Sequence, residues 1–260
     1  MKGGKEKDVD QHLFIFILSL ATPFVLYFNR HLDDNRLTSW SWVFDFVDLS
    51  RIGLTLGAAL IFAWLLSQVM FYERSKPFVL FVAAFVMASS FWSVPEVIVD
   101  SSRYFTQAKQ LSVYGIGYFA EQWGREIFAW TDMPLVPFLY GLVFKFFGEQ
   151  RIFIQVLNTF FYSSTVVLTY QLGKNLWDED TGFRGGLLLL GFPYLYTQVP
   201  LILVDVPTMF FFMLAVVACV NALKNGGAGR IILAAFSLFL VFYVKYSTWM
   251  LLTLLPVIYA

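Results

Sequence analysis

Charge is scarce in this chain. Only 14% of its 260 residues are charged, against about 25% in soluble domains. With 58% hydrophobic and 20% aromatic residues, that scarcity excludes an ordinary soluble domain and points to an integral membrane protein. The formal net charge is zero, so no basic footprint for nucleic acid is present. There is one cysteine, Cys219, inside an apolar run. It excludes an intrachain disulfide and a thiolate zinc cluster, and suits a small core position. The two histidines, His12 and His31, flank the first apolar run as interface residues. No Walker loop, dinucleotide fingerprint, Ser-His-Asp set, internal repeat or low-complexity tract occurs.

What is present is a series of apolar runs. A helical span needs roughly 17–25 mostly apolar residues. Candidate spans are 12–28, 52–72, 77–95, 152–172, 184–203, 206–223 and one beginning at 231. The expected fold class is therefore all-α: a polytopic transmembrane bundle of about seven spans. The run Leu13–Phe28 lacks a small-residue cleavage site and is read as a retained helix. The run 134–147 is short and carries Lys145. At 1.5 Å per residue it reaches about 21 Å, short of a ~30 Å hydrocarbon core, so it is expected to be re-entrant or to lie at the interface. The run Ile231–Ala260 is too long for one upright span; it is tilted, broken near Lys245 or part of a hairpin. The chain stops there without a polar tail, as the front of a longer protein or half of a split one would.

A cytoplasmic N-terminus puts segments 1–11, 73–76, 173–183 and 224–230 inside, with half of the Lys and Arg residues, Arg184 at the boundary included, in a small share of the loop length. That density bias favours this orientation. Asp100 and Asp205 then emerge together on the outer face, and Lys245 with them. The largest outer loop, 96–133, shows helical periodicity over Ser101–Val113 and Tyr118–Trp130, with Gly115 and Gly117 between, and is expected to form two amphipathic interface helices.

Asp205 lies in Pro200-Leu-Ile-Leu-Val-Asp-Val-Pro207, and nothing else ionises from Arg184 to Lys224. A carboxylate at membrane depth is costly and usually functional. Asp100 follows the run Pro77–Pro95. One of the two acids can act as general base toward an acceptor hydroxyl, while the other positions substrate or a cation; equally, each can cap a helix. Arg103, three residues after Asp100, and Lys245, alone in an apolar run, can hold a lipid phosphate; the rival reading is a surface pair for Arg103 and snorkelling for Lys245. Asp178-Glu-Asp180 is read as a solvated loop, and Gly53-xxx-Gly57 as a small-residue pattern that can bring helices close.

The order of several segments adds a resemblance. Val99-Asp-Ser-Ser-Arg-Tyr-Phe-Thr-Gln-Ala108 follows a span. Asp132-Met-Pro-Leu135 opens the short run, and Leu172-Gly-Lys-Asn-Leu-Trp177, Val204-Asp-Val-Pro207 and Tyr243-Val-Lys245 come after it. Over roughly 77–260 the chain resembles the membrane domain of GT-C glycosyltransferases, near the dolichyl-phosphate-mannose protein mannosyltransferases and the lipid A aminoarabinose transferases. The resemblance implies a polyprenyl-phosphate sugar donor, Asp100 as first-loop catalytic acid, Asp205 as second-loop acid, and Tyr104, Asp132 and Pro134 in the substrate loop. The family often has Lys-Pro-Pro-Leu where this chain has Asp132-Met-Pro-Leu. Donor-phosphate contact must then come from elsewhere, with Arg103 and Lys245 the candidates. Ser101 also stands where a second acid often follows the first.

The expectation is a multi-pass cell-membrane glycosyltransferase with an extracytoplasmic site, acting on a protein or lipid-linked glycan acceptor. Residues 1–76 would add a transmembrane hairpin to a catalytic part, 77–260, that lacks its C-terminal remainder. No metal site is evident, although two carboxylates could hold a divalent cation. The rival is a non-catalytic lipid-binding or assembly subunit that works with a C-terminal half or partner subunit. A transporter would need inverted repeats and a midplane polar site, and neither is seen.

Overall fold

The computed structural model describes residues 49–69, 72–92, 99–130 and 132–249. Run 12–28 and both histidines lie outside them. The chain divides into two units, 1–53 and 54–260; of the first, only the opening residues of a helix are described. Every named element among the described residues is an α-helix. In order these are α1 (Leu49–Gln68), α2 (Lys76–Ser89), α3 (Val99–Gln122), α4 (Leu135–Phe147), α5 (Arg151–Leu176), α6 (Glu179–Leu190), α7 (Pro193–Gln198), α8 (Asp205–Asn225) and α9 (Ala228–Phe242).

Helices α5 and α8 are long and apolar enough to cross a membrane, while α2, α4 and α9 are apolar but shorter. The central helix is α5, which packs on α2, α6 and α8. Its hydroxyl side chains would be costly in an apolar setting if left bare. Thr159, Ser163, Thr165 and Thr169 each donate to the carbonyl four residues back, at 2.7–2.9 Å, which satisfies them within the helix. Next to this ladder, α5 and α6 approach until their backbones touch. A Cβ on Gly182 would lie 2.4 Å from the Tyr170 carbonyl oxygen, and one on Gly173 would lie 2.6 Å from Gly182 Cα. Only two glycines permit that approach.

The bundle has two polar ends. At one, Lys76 opening α2 pairs with Glu179 and Asp180 at the start of α6, and Lys174 near the end of α5 pairs with Glu73. At the other, Gln155 and Trp92 tie the start of α5 to the end of α2: Gln155 Nε2 donates to the Trp92 carbonyl at 2.8 Å, and Trp92 Nε1 to Thr159 Oγ1 at 2.8 Å. Asn158 and Lys174 are sixteen residues apart, about 24 Å along the helix, so the ends are well separated.

The short run 134–147 folds as expected from its length. Helix α4 begins where the Leu135 N–H donates to the Tyr243 carbonyl at 3.0 Å, just past the end of α9. It finishes at Phe147, four residues before α5 starts. Both of its ends therefore belong to the same end of the bundle. The run from 231 is broken near Lys245: α9 stops at Phe242, and 243–247 make turns.

The outer loop forms two helical segments, as expected: α3 is interrupted at Gly115 (φ 92°, ψ 172°), where the backbone leaves the helical region. Two boundaries differ, the first being that the second segment of α3 ends at Gln122. The second helix does not continue to Trp130. Residues 123–127 turn back on themselves, with Gly124 at φ 78° and its N–H on the Ile127 carbonyl at 3.0 Å. The run 184–203 is not one span. Helix α6 stops at Leu190, and Pro193, which has no N–H to continue a helix, opens the six-residue α7. Among the described residues the Gly53 and Gly57 pattern meets nothing: a Cβ on either has none of their atoms within 4 Å.

Candidate active site

The acids sit at the starts of two helices at the same end of the bundle. Asp100 lies in the first turn of α3 and Asp205 in the first turn of α8. Asp205 is not the simple cap that spacing alone allows, since α8 is capped by Val204 without a side-chain bond. Instead Asp205 Oδ1 accepts from Lys245 Nζ at 2.8 Å. Asp100 Oδ1 lies 3.0 Å from Arg103 Nη1.

Arg103 is held from its other side by Asp132. Its Nε donates to Asp132 Oδ2 at 2.7 Å and its Nη2 to Oδ1 at 3.2 Å, a two-pronged geometry that fixes a guanidinium plane. Asp132 also accepts from Gln107 Nε2 at 3.1 Å and from the Tyr104 hydroxyl at 3.3 Å. The guanidinium lies over the Tyr104 ring, 5.0 Å from its centroid. Burial pushes the Tyr104 phenol up to about 12, so at neutral pH it keeps its proton and donates.

The two acid clusters are joined through α4. Asp132 precedes Pro134, which caps α4. The next residue, Leu135, bonds the Tyr243 carbonyl, two positions before Lys245. Within α4, the Tyr140 hydroxyl donates to the Leu203 carbonyl at 2.7 Å and lies 2.9 Å from Asn158 Oδ1. Asn158 Nδ2 donates to the Leu201 carbonyl at 3.0 Å, and Gln155 Nε2 reaches the Pro200 carbonyl at 3.3 Å. The irregular stretch leading into Asp205 is thus fixed by side chains of α4 and α5.

The formal charges are three carboxylates against two cations. Both cations are engaged, but unequally. Arg103 is tied to Asp132, whose side chain is only 9% exposed. The Lys245–Asp205 pair has an exposed partner, with Asp205 53% accessible, and such pairs contribute about 0–1 kcal/mol. The Lys245–Asp205 pair can open at little cost; the Arg103–Asp132 pair cannot.

An apolar cavity of about 400 Å³ opens beside this cluster, between the end of α3, the start of α4 and the end of α9. Phe119, Trp123, Pro134, Phe138, Phe239 and Tyr243 are among its walls.

Sequence reasoning missed Gln107, Tyr140, Gln155 and Asn158. A signal existed for three of them. Gln107 falls one turn after Arg103 on the same face. Gln155 and Asn158 are amides one turn apart inside a span, where a polar group must find a partner. The acidic triplet is structural: Asp178 Oδ1 accepts from the Thr181 N–H at 2.8 Å as an N-cap, and Glu179 and Asp180 face Lys76. Among the described residues no three His, Cys, Asp or Glu side chains are grouped to hold a metal.

One expected result follows from the Asp132 contacts. Asp132→Asn turns an amide toward Arg103, Tyr104 and Gln107, all donors. Losing a charged acceptor in a mostly buried place costs about 2 kcal/mol, measurable as a lower thermal midpoint of the purified chain.

Residues 132–260 match the family model described as dolichyl-phosphate-mannose-protein mannosyltransferase. Over that segment, just under half of the chain, it is similar to this family of GT-C type. No curated protein and no solved structure matches the chain. The family match and the apolar helices support a membrane glycosyltransferase of the mannosyltransferase type. The matched segment begins at Asp132 and contains Asp205 and Lys245; Asp100 and Arg103 lie before it.

Proposed function

We propose that the chain transfers a sugar from a polyprenyl-phosphate-linked donor to an acceptor on the extracytoplasmic face, a protein or a lipid-linked glycan. The observation that carries this reading is the gathering of Asp100, Asp132, Asp205, Arg103 and Lys245 at one end of the bundle, next to an apolar cavity.

Asp100 acts as the general base. Its Oδ2 has no partner among the described residues, while Oδ1 is steadied by Arg103. The acceptor hydroxyl attacks the sugar C1, forming the new C1–O bond. The C1–O bond to phosphate breaks, its electron pair leaves with polyprenyl phosphate, and the acceptor proton passes to Asp100. Attack opposite the leaving group inverts the anomeric centre. Lys245 releases Asp205 to bind the donor phosphate, so the developing negative charge meets a cation already in place. Arg103 orients Asp100 and makes no phosphate contact, a narrower role than its residue type suggests. The isoprenoid tail occupies the apolar cavity.

Two experiments test this. Full-length chain in proteoliposomes is given dolichyl-phosphate-mannose, and release of dolichyl phosphate is followed with and without an acceptor peptide. In parallel, Ser102→Cys and Thr208→Cys are introduced separately in a Cys219→Ser background and probed with a membrane-impermeant thiol reagent. Labelling of both from outside is expected; labelling from opposite sides sinks the shared site. Ala120→Trp fills the cavity and should raise KM for the dolichyl donor about 10-fold, equivalent to about 1.4 kcal/mol, with a short-chain donor unaffected.

A second reading has one observation behind it. Both cations are already paired with carboxylates, as in a chain that binds lipid or assembles with a partner without catalysing transfer. Turnover by the chain alone removes that reading.

A further inference from the structure

The opposite end of the bundle carries a second polar site. A cavity of about 510 Å³ lies between the turn before α2, the end of α5 and the end of α8. Arg74, Tyr170, Gln171, Lys174, Asn175 and Asn221 contribute its polar walls, together with the carboxylate of Glu73. Several of these groups lack partners. Tyr170 is 2% exposed, yet its hydroxyl makes no hydrogen bond to any described residue. It sits among the charges of Lys174, Glu179, Lys76 and Glu73. Arg74 pairs with no carboxylate among the described residues. Asn175 Nδ2 donates to Asn221 Oδ1 at 2.8 Å, which leaves the Asn221 amide hydrogens directed elsewhere. Lys174 holds Glu73, and Lys224 bonds the Asn175 carbonyl at the margin.

The chemistry is that of an anion site. A guanidinium offers two parallel donors matched to phosphate oxygens. A phenol, an amide and an ammonium add donors around it, and the one carboxylate in the wall is neutralised by Lys174. The Tyr170 hydroxyl opens onto the cavity with no partner among the described residues, so it is available to a ligand or water there. The height of the cavity decides the source of the anion. It is about 24 Å from Asn158 along α5, at the end of a membrane-crossing helix, where phospholipid headgroups lie. Basic pockets between helices at this level hold anionic lipid heads.

We propose that this cavity binds the phosphate diester of an anionic phospholipid, with Arg74 as the principal contact and the Tyr170 hydroxyl and Asn221 amide completing it. The site is separate from the acid cluster and does not rest on the transferase reading.

The test uses the full chain in a neutral detergent. Retention of dioleoylphosphatidylglycerol, dioleoylphosphatidylcholine and inorganic phosphate is measured by native mass spectrometry and by the shift in thermal midpoint. Phosphatidylglycerol alone should be retained and should raise the midpoint. Arg74→Gln, at an exposed position, should weaken that binding about 10-fold, the worth of a charge-assisted bond. Tyr170→Phe should weaken it about 3-fold without unfolding the chain. Equal retention of phosphatidylcholine overturns the proposal, as does wild-type affinity in Arg74→Gln. Inorganic phosphate binding as tightly as the lipid overturns the assignment to a headgroup.

Discussion

Asp100→Asn should abolish sugar transfer while leaving the chain folded. Asn has nearly the shape of Asp, and its Oδ1 can still accept from Arg103 Nη1, which lies 3.0 Å from the carboxylate now. The side chain is 52% exposed, so the substitution creates no cavity, and its effect on stability should stay within about 0.5 kcal/mol. What it removes is the ability to take a proton. General-base removal costs about 10²–10⁴-fold in rate. Release of dolichyl phosphate in proteoliposomes measures the loss, and an unchanged thermal midpoint shows that folding is intact. Turnover within a few-fold of the parent would end the role proposed for Asp100. Asp205→Asn is expected to behave differently. It frees Lys245, so donor KM should fall even as turnover drops, and the two substitutions together separate a base from a positioning acid.

Gly182→Val should prevent the chain from reaching its fold. Overpacking a core with a few extra methylenes costs about 1–3 kcal/mol when side chains can shift. Here the new Cβ would meet backbone: the Tyr170 carbonyl oxygen at 2.4 Å and the Lys174 nitrogen at 2.6 Å. Neither can rotate away, so α6 must separate from α5 along their whole contact. The expected cost is at least about 3 kcal/mol. Size-exclusion profiles of the detergent-extracted chain should show aggregation in place of a monodisperse peak, and Gly182→Ala should fall between. A Gly182→Val chain with the parent's midpoint would mean that the close approach of α5 and α6 is not needed.

The sequence disclosed some of this and hid the rest for physical reasons. The all-helical class followed from apolar run lengths, because a membrane leaves the backbone few alternatives. The short run 134–147 was legible by arithmetic alone, since thirteen helical residues cannot cross a ~30 Å core. The break after Leu190 was not, although Gly191 and Pro193 announce it: hydropathy averages across a break that involves no polar residue. The glycine pair that matters, Gly173 with Gly182, belongs to two helices and has no spacing signature, whereas the Gly53 and Gly57 pattern has one and touches none of the described residues. At the candidate site, residue types were legible but partners were not. Arg103 meets Asp132 across 29 residues, and Lys245 meets Asp205 across 40. Only the path of α4 decides which cation is fixed and which is free to leave.

The stretch before Asp205 has a further consequence. Three of its carbonyls, from Pro200, Leu201 and Leu203, are gripped by amide and phenol groups of neighbouring helices. A span whose backbone unwinds in oil would normally wander. This one is moored at three points, so Asp205 hangs from a stiff bracket while its partner Lys245 follows a helix that has already ended. Of the two, the lysine side chain is the less exposed but the longer and more adaptable partner of an accessible pair. Any rearrangement during turnover should therefore show up as a change in the surroundings of residues 243–247, with 200–204 staying still.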